Sequence, residues 1–245
     1  TFITLPFVVR TLQPVIEGRR PVLFVADEML EVLRAAAIAK EAGVAPRIVG
    51  AGDEYKRVKD IARTGAELIV PVNFPEAPDV STDEKAWSVT IESLRAWQEA
   101  PGNPAALAAA NVTFALTADG LQDPKGFAAN VGRAIDRGWP ERAALAAVTT
   151  VPARMLGLET RLGTIGAGRI ANLTVTRGDL FHGGTVREVW VDGERYETAK
   201  DETTPKGEWN VDWGHGPHAL VVATGDDTTA LLVVGADSLR APKNN

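Results

Sequence analysis

The chain has 245 residues, of which 45% are apolar and 24% charged, and its formal net charge is −6. This is enough chain to bury one sizeable core and a satellite domain. The acidic balance and the absence of a Lys/Arg cluster argue against a nucleic-acid partner, while the lack of cysteine excludes disulfides, thiolate nucleophiles and iron–sulfur ligation. No apolar run reaches the roughly 18 residues that a membrane span needs.

Up to about residue 150, short apolar runs alternate with amphipathic segments, as buried parallel strands do with their crossover helices. A helix is predicted over residues 8–17, followed by strands over 22–25, 47–49, 67–70 and 112–116. Helices are predicted over residues 29–42, 54–63, 104–110, 126–137 and 141–149, and a single amphipathic helix is indicated by Trp87, Ile91, Leu94 and Trp97. An α/β region over residues 1–157 follows from this pattern.

Beyond residue 157 the sequence is typical of short strands. They are predicted over residues 172–175 and 186–191, with a hairpin turn at Asp192-Gly193 leading into 195–196. After a polar linker, residues 219–223 and 230–234 flank 225–227 and predict a second hairpin. We therefore predict a small β region over residues 158–198, and a linker with an accessory β-hairpin over 199–245.

Polar residues follow the predicted strands, at the sheet edge where parallel α/β folds bind ligands. They are Asp27, Asp53, Asn73 with Glu76, and Asp119. Converging carboxylate and amide oxygens suit a hard divalent cation or a cationic substrate. Helix capping is the favoured alternative for Asp27 and Asp53, because each precedes a predicted helix. For Asp119, a site residue and a turn residue are equally open.

The three histidines, His182, His215 and His218, all lie beyond the α/β region. Neither a Ser-His-Asp arrangement nor a histidine-lined zinc site can therefore form within that region from this chain alone. We predict that His182 is a turn residue and that His215 and His218 lie in a solvated loop.

Three segments carry a resemblance to a known family: residues 143–158 (AALAAVTTVPARMLGL), 161–175 (RLGTIGAGRIANLTV) and 186–193 (VREVWVDG). They resemble the C-terminal part of amidohydrolases of the imidazolonepropionase-like group, over about residues 18–196. The resemblance implies half of a TIM-like (β/α) barrel over residues 1–157, with four parallel strands, and part of a composite β-sandwich over 158–198. It also implies hydrolysis of non-peptide carbon–nitrogen bonds, cyclic ones included, through a water activated by a divalent metal, with zinc the expected ion.

In this resemblance Asp119 is the metal-proximal catalytic aspartate, which passes a proton from the metal-bound water to the leaving nitrogen. Val25 or Ala26 and Gly50 stand where the family has histidines on its fifth and sixth strands, and the first four strands are not in this chain. Two alternatives therefore stay open: a catalytically inactive binding or assembly module, and a free-standing four-stranded α/β domain.

We expect a small-molecule substrate and no membrane or nucleic-acid partner. An apolar strand edge should be exposed, which predicts a homo-oligomer or association with the missing barrel half. The resemblance favours a periplasmic or secreted location over a cytoplasmic one.

Overall fold

A computed structural model of the chain describes residues 13–15, 17–198, 207–211, 219–223, 230–234 and 237–240. The chain divides into two compact units, Thr1–Thr198 and Ala199–Asn245. Most of the helix predicted over residues 8–17 lies outside the described residues, and the predicted boundary at residue 157 stays a prediction.

The first unit contains the predicted parallel sheet. Its strands are β1 (Phe24–Val25), β2 (Arg47–Val49), β3 (Glu67–Pro71) and β4 (Phe114–Thr117), and they pair in the order β1-β2-β3-β4. All three pairings are parallel. The apolar runs therefore predicted the four strands and their direction correctly.

Helices connect these strands and continue after β4. They are α1 (Met29–Glu41), α2 (Val58–Thr64), α3 (Asp83–Ser88), α4 (Ile91–Glu99), α5 (Asn103–Ala109), α6 (Phe127–Asp136), α7 (Glu141–Val148) and α8 (Thr150–Met155), with 3-10 turns at Glu54–Arg57, Ala100–Gly102 and Pro124–Gly126.

The single helix predicted around Trp87 is wrong, because two helices, α3 and α4, occupy this segment. Val89 has an extended backbone with ψ 122°, and Thr90 caps a new helix by accepting a bond from Ser93 N at 3.0 Å. The apolar residues that suggested a buried stripe are also largely outside the core, since Trp87 is 89% exposed.

The helices cover one face of the parallel sheet. Ile48, Leu68 and Phe114 lie in register across β2, β3 and β4 and all three are buried. Phe114 stacks against the buried Trp139 with ring centroids 5.3 Å apart. Burying such a side chain contributes about 1.5–3 kcal/mol, so this layer holds the helices to the sheet.

The opposite face of the sheet is less covered at the β1 edge, where Val25 is 72% exposed. Its neighbours in register on β2 and β3, Val49 and Ile69, are half-buried. An apolar side chain is therefore exposed on the edge strand β1. Association with a second chain stays a prediction.

A three-stranded antiparallel sheet closes the first unit, in the order β5 (Leu173–Arg177), β6 (Thr185–Val191) and β7 (Glu194–Glu197). The predicted hairpin is confirmed, because Val191 pairs with Glu194 around Asp192-Gly193. Both loop residues have positive φ, 51° and 86°, as a type I′ turn requires.

The second unit is described as four antiparallel strands: β8 (Gly207–Val211), β9 (Ala219–Ala223), β10 (Ala230–Val234) and β11 (Asp237–Arg240). Their order is β11-β10-β9-β8. The predicted pairing of β9 with β10 is confirmed, whereas its turn, His215 and His218 lie outside the described residues. Across the part of the chain that the structure describes, no helix combines the length and apolarity needed to cross a membrane.

Candidate active site at the carboxyl ends of the strands

Asn73 and the turn that carries Asp119 meet at the carboxyl edge of the sheet. Asn73 follows β3 and Gly120 follows β4, two neighbouring strands. A Cβ atom on Gly120 would overlap the Asn73 amide nitrogen, and one on Gly52 would lie 4.0 Å from its Oδ1. Gly52 and Gly120 have φ values of +88° and +75°, which glycine adopts without strain. The structure therefore places the Asn73 amide between two glycines.

Asp119 is exposed in the turn after β4. Its Oδ1 accepts a hydrogen bond from Gly120 N at 3.1 Å, and its own backbone N–H donates to Thr117 Oγ1 at 3.1 Å. Both bonds are local and fix the turn, and the carboxylate stays open to solvent. Asp119 is therefore both a turn residue and an accessible acid at the end of a barrel-type strand, so the geometry is compatible with either interpretation.

A buried carboxylate that was not among the predicted site residues lies beside this edge. Glu54 has no exposed surface and accepts bonds from Ala51 N at 2.8 Å, Gly52 N at 3.2 Å and Asn103 Nδ2 at 2.6 Å. A Cβ on Gly50 would overlap Glu54 Oε1. Glu54 thus fills the space beside Gly50, where the family resemblance implies a histidine, and shapes the loop that presents Gly52 to Asn73.

The capping interpretation of Asp27 and Asp53 is wrong. The residue before α1 is Glu28, without a side-chain cap bond, and Asp27 is exposed. Asp53 precedes a 3-10 turn, again without a side-chain cap bond, and its Oδ2 instead pairs with Lys56 Nζ at 3.0 Å. Glu76 is exposed. Substrate binding by Asp27, Asp53, Asn73 and Glu76 stays a prediction.

The described residues do not form a metal site. Among them no group of three or more His, Cys, Asp or Glu side chains is placed to hold an ion. Glu54 already has two backbone N–H groups on Oε1 and an amide on Oε2, and Val25 and Gly50 carry no ligating atom. Asn73 and the turn of Asp119 meet at this edge, but these two donors alone do not satisfy the four-coordinate preference of zinc.

His182 confirms its prediction as a turn residue and makes two side-chain contacts. Its Nδ1 lies 2.6 Å from Asp179 Oδ2, and its Nε2 lies 3.2 Å from Asp136 Oδ1. These carboxylates, Asp179 foremost, raise the pKa of His182, and the His182 bond is the main cause that lowers the pKa of Asp179. The group joins the end of α6 to the turn between β5 and β6, which gives it a structural role.

Residues 97–196 match the model of the amidohydrolase family. A segment of 57 residues is 49% identical to amidohydrolase tasK of Hapsidospora irregularis, although it represents 23% of this chain and 6% of that protein. The region that matches the family model contains β4, Asp119 and the three-stranded sheet except for Glu197, the last residue of β7.

Solved structures share the fold. An amidohydrolase from Thermotoga maritima MSB8 superposes with a TM-score of 0.63 and 25% identity, covering 80% of this chain and 49% of its own. A prolidase complexed with N-methylphosphonate-L-proline gives a TM-score of 0.53 and 20% identity over 76% of this chain and 47% of its own. The chain thus spans about half the length of these structures. The predicted partial (β/α) barrel of four parallel strands with a small β-sheet is confirmed.

Proposed function

Since this chain is related to the amidohydrolase superfamily, we propose that it forms half of a barrel hydrolase that cleaves carbon–nitrogen bonds of small amides, linear or cyclic. The complete protein is the active species in this proposal. The other barrel strands would come from outside the described residues and would face Val25 and its neighbours.

The position of Asp119 carries the proposal. It lies at the carboxyl end of a parallel strand, within the segment that matches the family, and active sites of such barrels are built at this end. Its carboxylate is exposed and can serve as general base and then general acid. It takes a proton from the attacking water while the water oxygen bonds to the amide carbon, and returns that proton to the nitrogen as the C–N bond breaks.

Asn73 supports this assignment because its amide adjoins the turn of Asp119. The Asn73 amide nitrogen lies so near Gly120 that a Cβ atom there would overlap it, and Asn73 is exposed, so its amide is accessible to a substrate. We assign Asn73 the role of a hydrogen-bonding partner for the substrate amide.

A divalent metal is general in this superfamily, and zinc is the expected ion. The described residues do not fit such an ion, so we assign no step to it. Ligands for a cation would have to come from parts of the protein outside the described residues.

A second candidate function is a catalytically inactive binding or assembly module. The observation that favours it is the loss of both strand-end histidines, with Val25 or Ala26 at one position and Gly50 at the other. The space beside Gly50 is filled by Glu54, whose oxygens are already engaged with N–H donors. The sheet would then serve as a scaffold.

The experiment is an amide-hydrolysis assay on the protein expressed from its full coding sequence, with N-acyl amino acids, cyclic imides and Xaa-Pro dipeptides as the panel. We expect Asp119→Asn to lower kcat/KM by about 10²–10⁴, the usual contribution of general acid–base catalysis. The matched control is Asp123→Asn, which removes an exposed carboxylate from the same loop; Asp123 only accepts a local bond from Lys125 N at 2.9 Å.

Unchanged turnover in Asp119→Asn would remove the catalytic assignment. Equal losses in the Asp119 and Asp123 variants would attribute the effect to loop structure instead. A wild-type protein that hydrolyses no member of the panel, yet binds one of them, would favour the binding module.

A further inference from the structure

A cavity of about 400 Å³ lies at the end of the sheet opposite to Asp119. Its walls are residues 20–22, which lead into β1, residues 43–45, which lead into β2, and residues 154–157 at the end of α8. The residues of the candidate active site follow β2, β3 and β4 in the chain, whereas residues that line this cavity precede β1 and β2. The two sites therefore open at opposite ends of the strands.

The cavity wall is positively charged. Arg20, Arg47 and Arg154 line it, and no acidic residue is among the lining residues that the structure describes. Arg47 Nε pairs with Glu67 at 2.9 Å. Neither Arg20 nor Arg154 has an ion pair within the described ranges. This local excess of cations occurs in a chain whose net charge is −6.

The rest of the wall is apolar. Val22, Val44, Met155 and Leu156 contribute to it, and Leu156 is 71% exposed. Small-molecule pockets typically have volumes of about 300–1,000 Å³, with a mainly apolar lining and a few polar groups that fix orientation. The cavity lies within that range of volumes, and it is open to solvent, with Arg20 and Arg154 exposed. Its guanidinium groups lie beside aliphatic side chains, a combination that suits a ligand with one charged end and one apolar end.

We propose that this cavity binds a small organic oxyanion, a phosphate monoester or a carboxylate carried on an apolar group. A guanidinium group presents two parallel N–H donors, which can bind two oxygens of a phosphate or carboxylate group at the same time. Arg154 also lies in the last turn of α8, where a cation complements the helix dipole. The helix dipole explains the position of Arg154 but not that of Arg20, whereas oxyanion binding explains both.

The test is calorimetric titration of the protein expressed from its full coding sequence with phenyl phosphate, inorganic phosphate and benzoate at constant ionic strength. We expect phenyl phosphate to bind more tightly than inorganic phosphate, because only the former can contact the aliphatic wall. The comparison of phenyl phosphate with benzoate distinguishes a phosphate site from a carboxylate site.

Substitution of the two arginines without ion pairs tests the assignment. We expect the double variant Arg20→Gln/Arg154→Gln to weaken phenyl phosphate binding by about tenfold or more, since hydrogen bonds to charged groups contribute about 1.5–3 kcal/mol. The matched control is Arg34→Gln, which removes an exposed arginine from α1 and should leave the affinity unchanged. Circular dichroism spectra confirm that each variant is folded, and the single variants replace the double one if it is not.

Equal affinity in the wild type and the arginine variants would overturn the proposal. The same loss in Arg34→Gln would also overturn it, because binding would then follow net charge rather than the cavity. Equal affinities for phenyl phosphate and inorganic phosphate would refute the inference that the ligand has an apolar part. This test does not depend on amide hydrolysis, so its result is separate from that of the Asp119 variants.

Discussion

Two substitutions of Glu54 should differ sharply in their effect on stability. Glu54→Ala removes three accepted hydrogen bonds from a fully buried position and leaves the donors of Ala51, Gly52 and Asn103 without partners. At roughly 1–3 kcal/mol for each unsatisfied donor, with partial relief from no longer burying a carboxylate, we expect a loss of about 4 kcal/mol. This corresponds to a melting temperature lower by about 8–16 °C for a unit of this size.

Glu54→Gln should cost less than about 1 kcal/mol, because every bond can be replaced. The glutamine Oε1 can accept from the two backbone N–H groups, and its Nε2 can donate to Asn103 once that amide turns over. Asn103 Oδ1 is buried without a partner in the wild type, so it is available for this bond.

Urea unfolding followed by circular dichroism measures both changes, with Glu76→Ala as an exposed control that should have no effect. Equal destabilisation by Glu54→Ala and Glu54→Gln would refute the reasoning, because it would mean that the negative charge rather than the hydrogen bonds stabilises the loop.

Two further predictions concern the junction between α6 and the turn before β6. The pKa of His182 is raised above its ordinary 6.5 and that of Asp179 is lowered below 3.8, so the contact between His182 and Asp179 stabilises fully between these values. Its contribution is lost as the pH rises through the raised pKa or falls through the lowered one. NMR titration of His182 in the wild type measures the pKa, and urea unfolding of wild type and His182→Gln across this pH range measures the contribution to stability. Gly132→Ala places a methyl group on the carbonyl oxygen of Phe181 and should destabilise by about 1–3 kcal/mol in urea unfolding.

A matched control exists for the glycine substitution. Gly126→Ala introduces the same methyl group where nothing lies within 4 Å and φ is −70°, so it should be tolerated. An unshifted His182 titration, or equal effects of the two glycine substitutions, would contradict the described contacts of this junction.

Local patterns predicted the elements whose causes are local. Short apolar runs located the four parallel strands, and Asp192-Gly193 located a hairpin because its geometry requires positive φ at both loop residues. The break between α3 and α4 was also readable, since Thr82 and Thr90 each accept a bond from the backbone N–H three residues later. The prediction of one helix rested on the apolar spacing around Trp87 alone.

The errors and omissions at the candidate site have non-local causes. The buried carboxylate of Glu54 accepts a hydrogen bond from Asn103, which lies 49 residues further along the chain. Spacing along the sequence does not reveal such a partner. Asp53 has the sequence position of a cap, but Lys56 binds its carboxylate instead. Helix α8 (Thr150–Met155) was not predicted, and its Pro152 is compatible with a helix because proline is tolerated in the first turn.

The asymmetry of the parallel sheet has a consequence for the exchange of its amide hydrogens with solvent. Strand β1 has two residues and pairs only with β2 among the described strands, whereas β2 and β3 each have a neighbour on both sides. Local openings should therefore expose the β1 amides to deuterium far sooner than those of β3. A second polypeptide that added a strand to β1 would slow that exchange, and mass spectrometry could follow the binding of such a polypeptide even without an assay for activity.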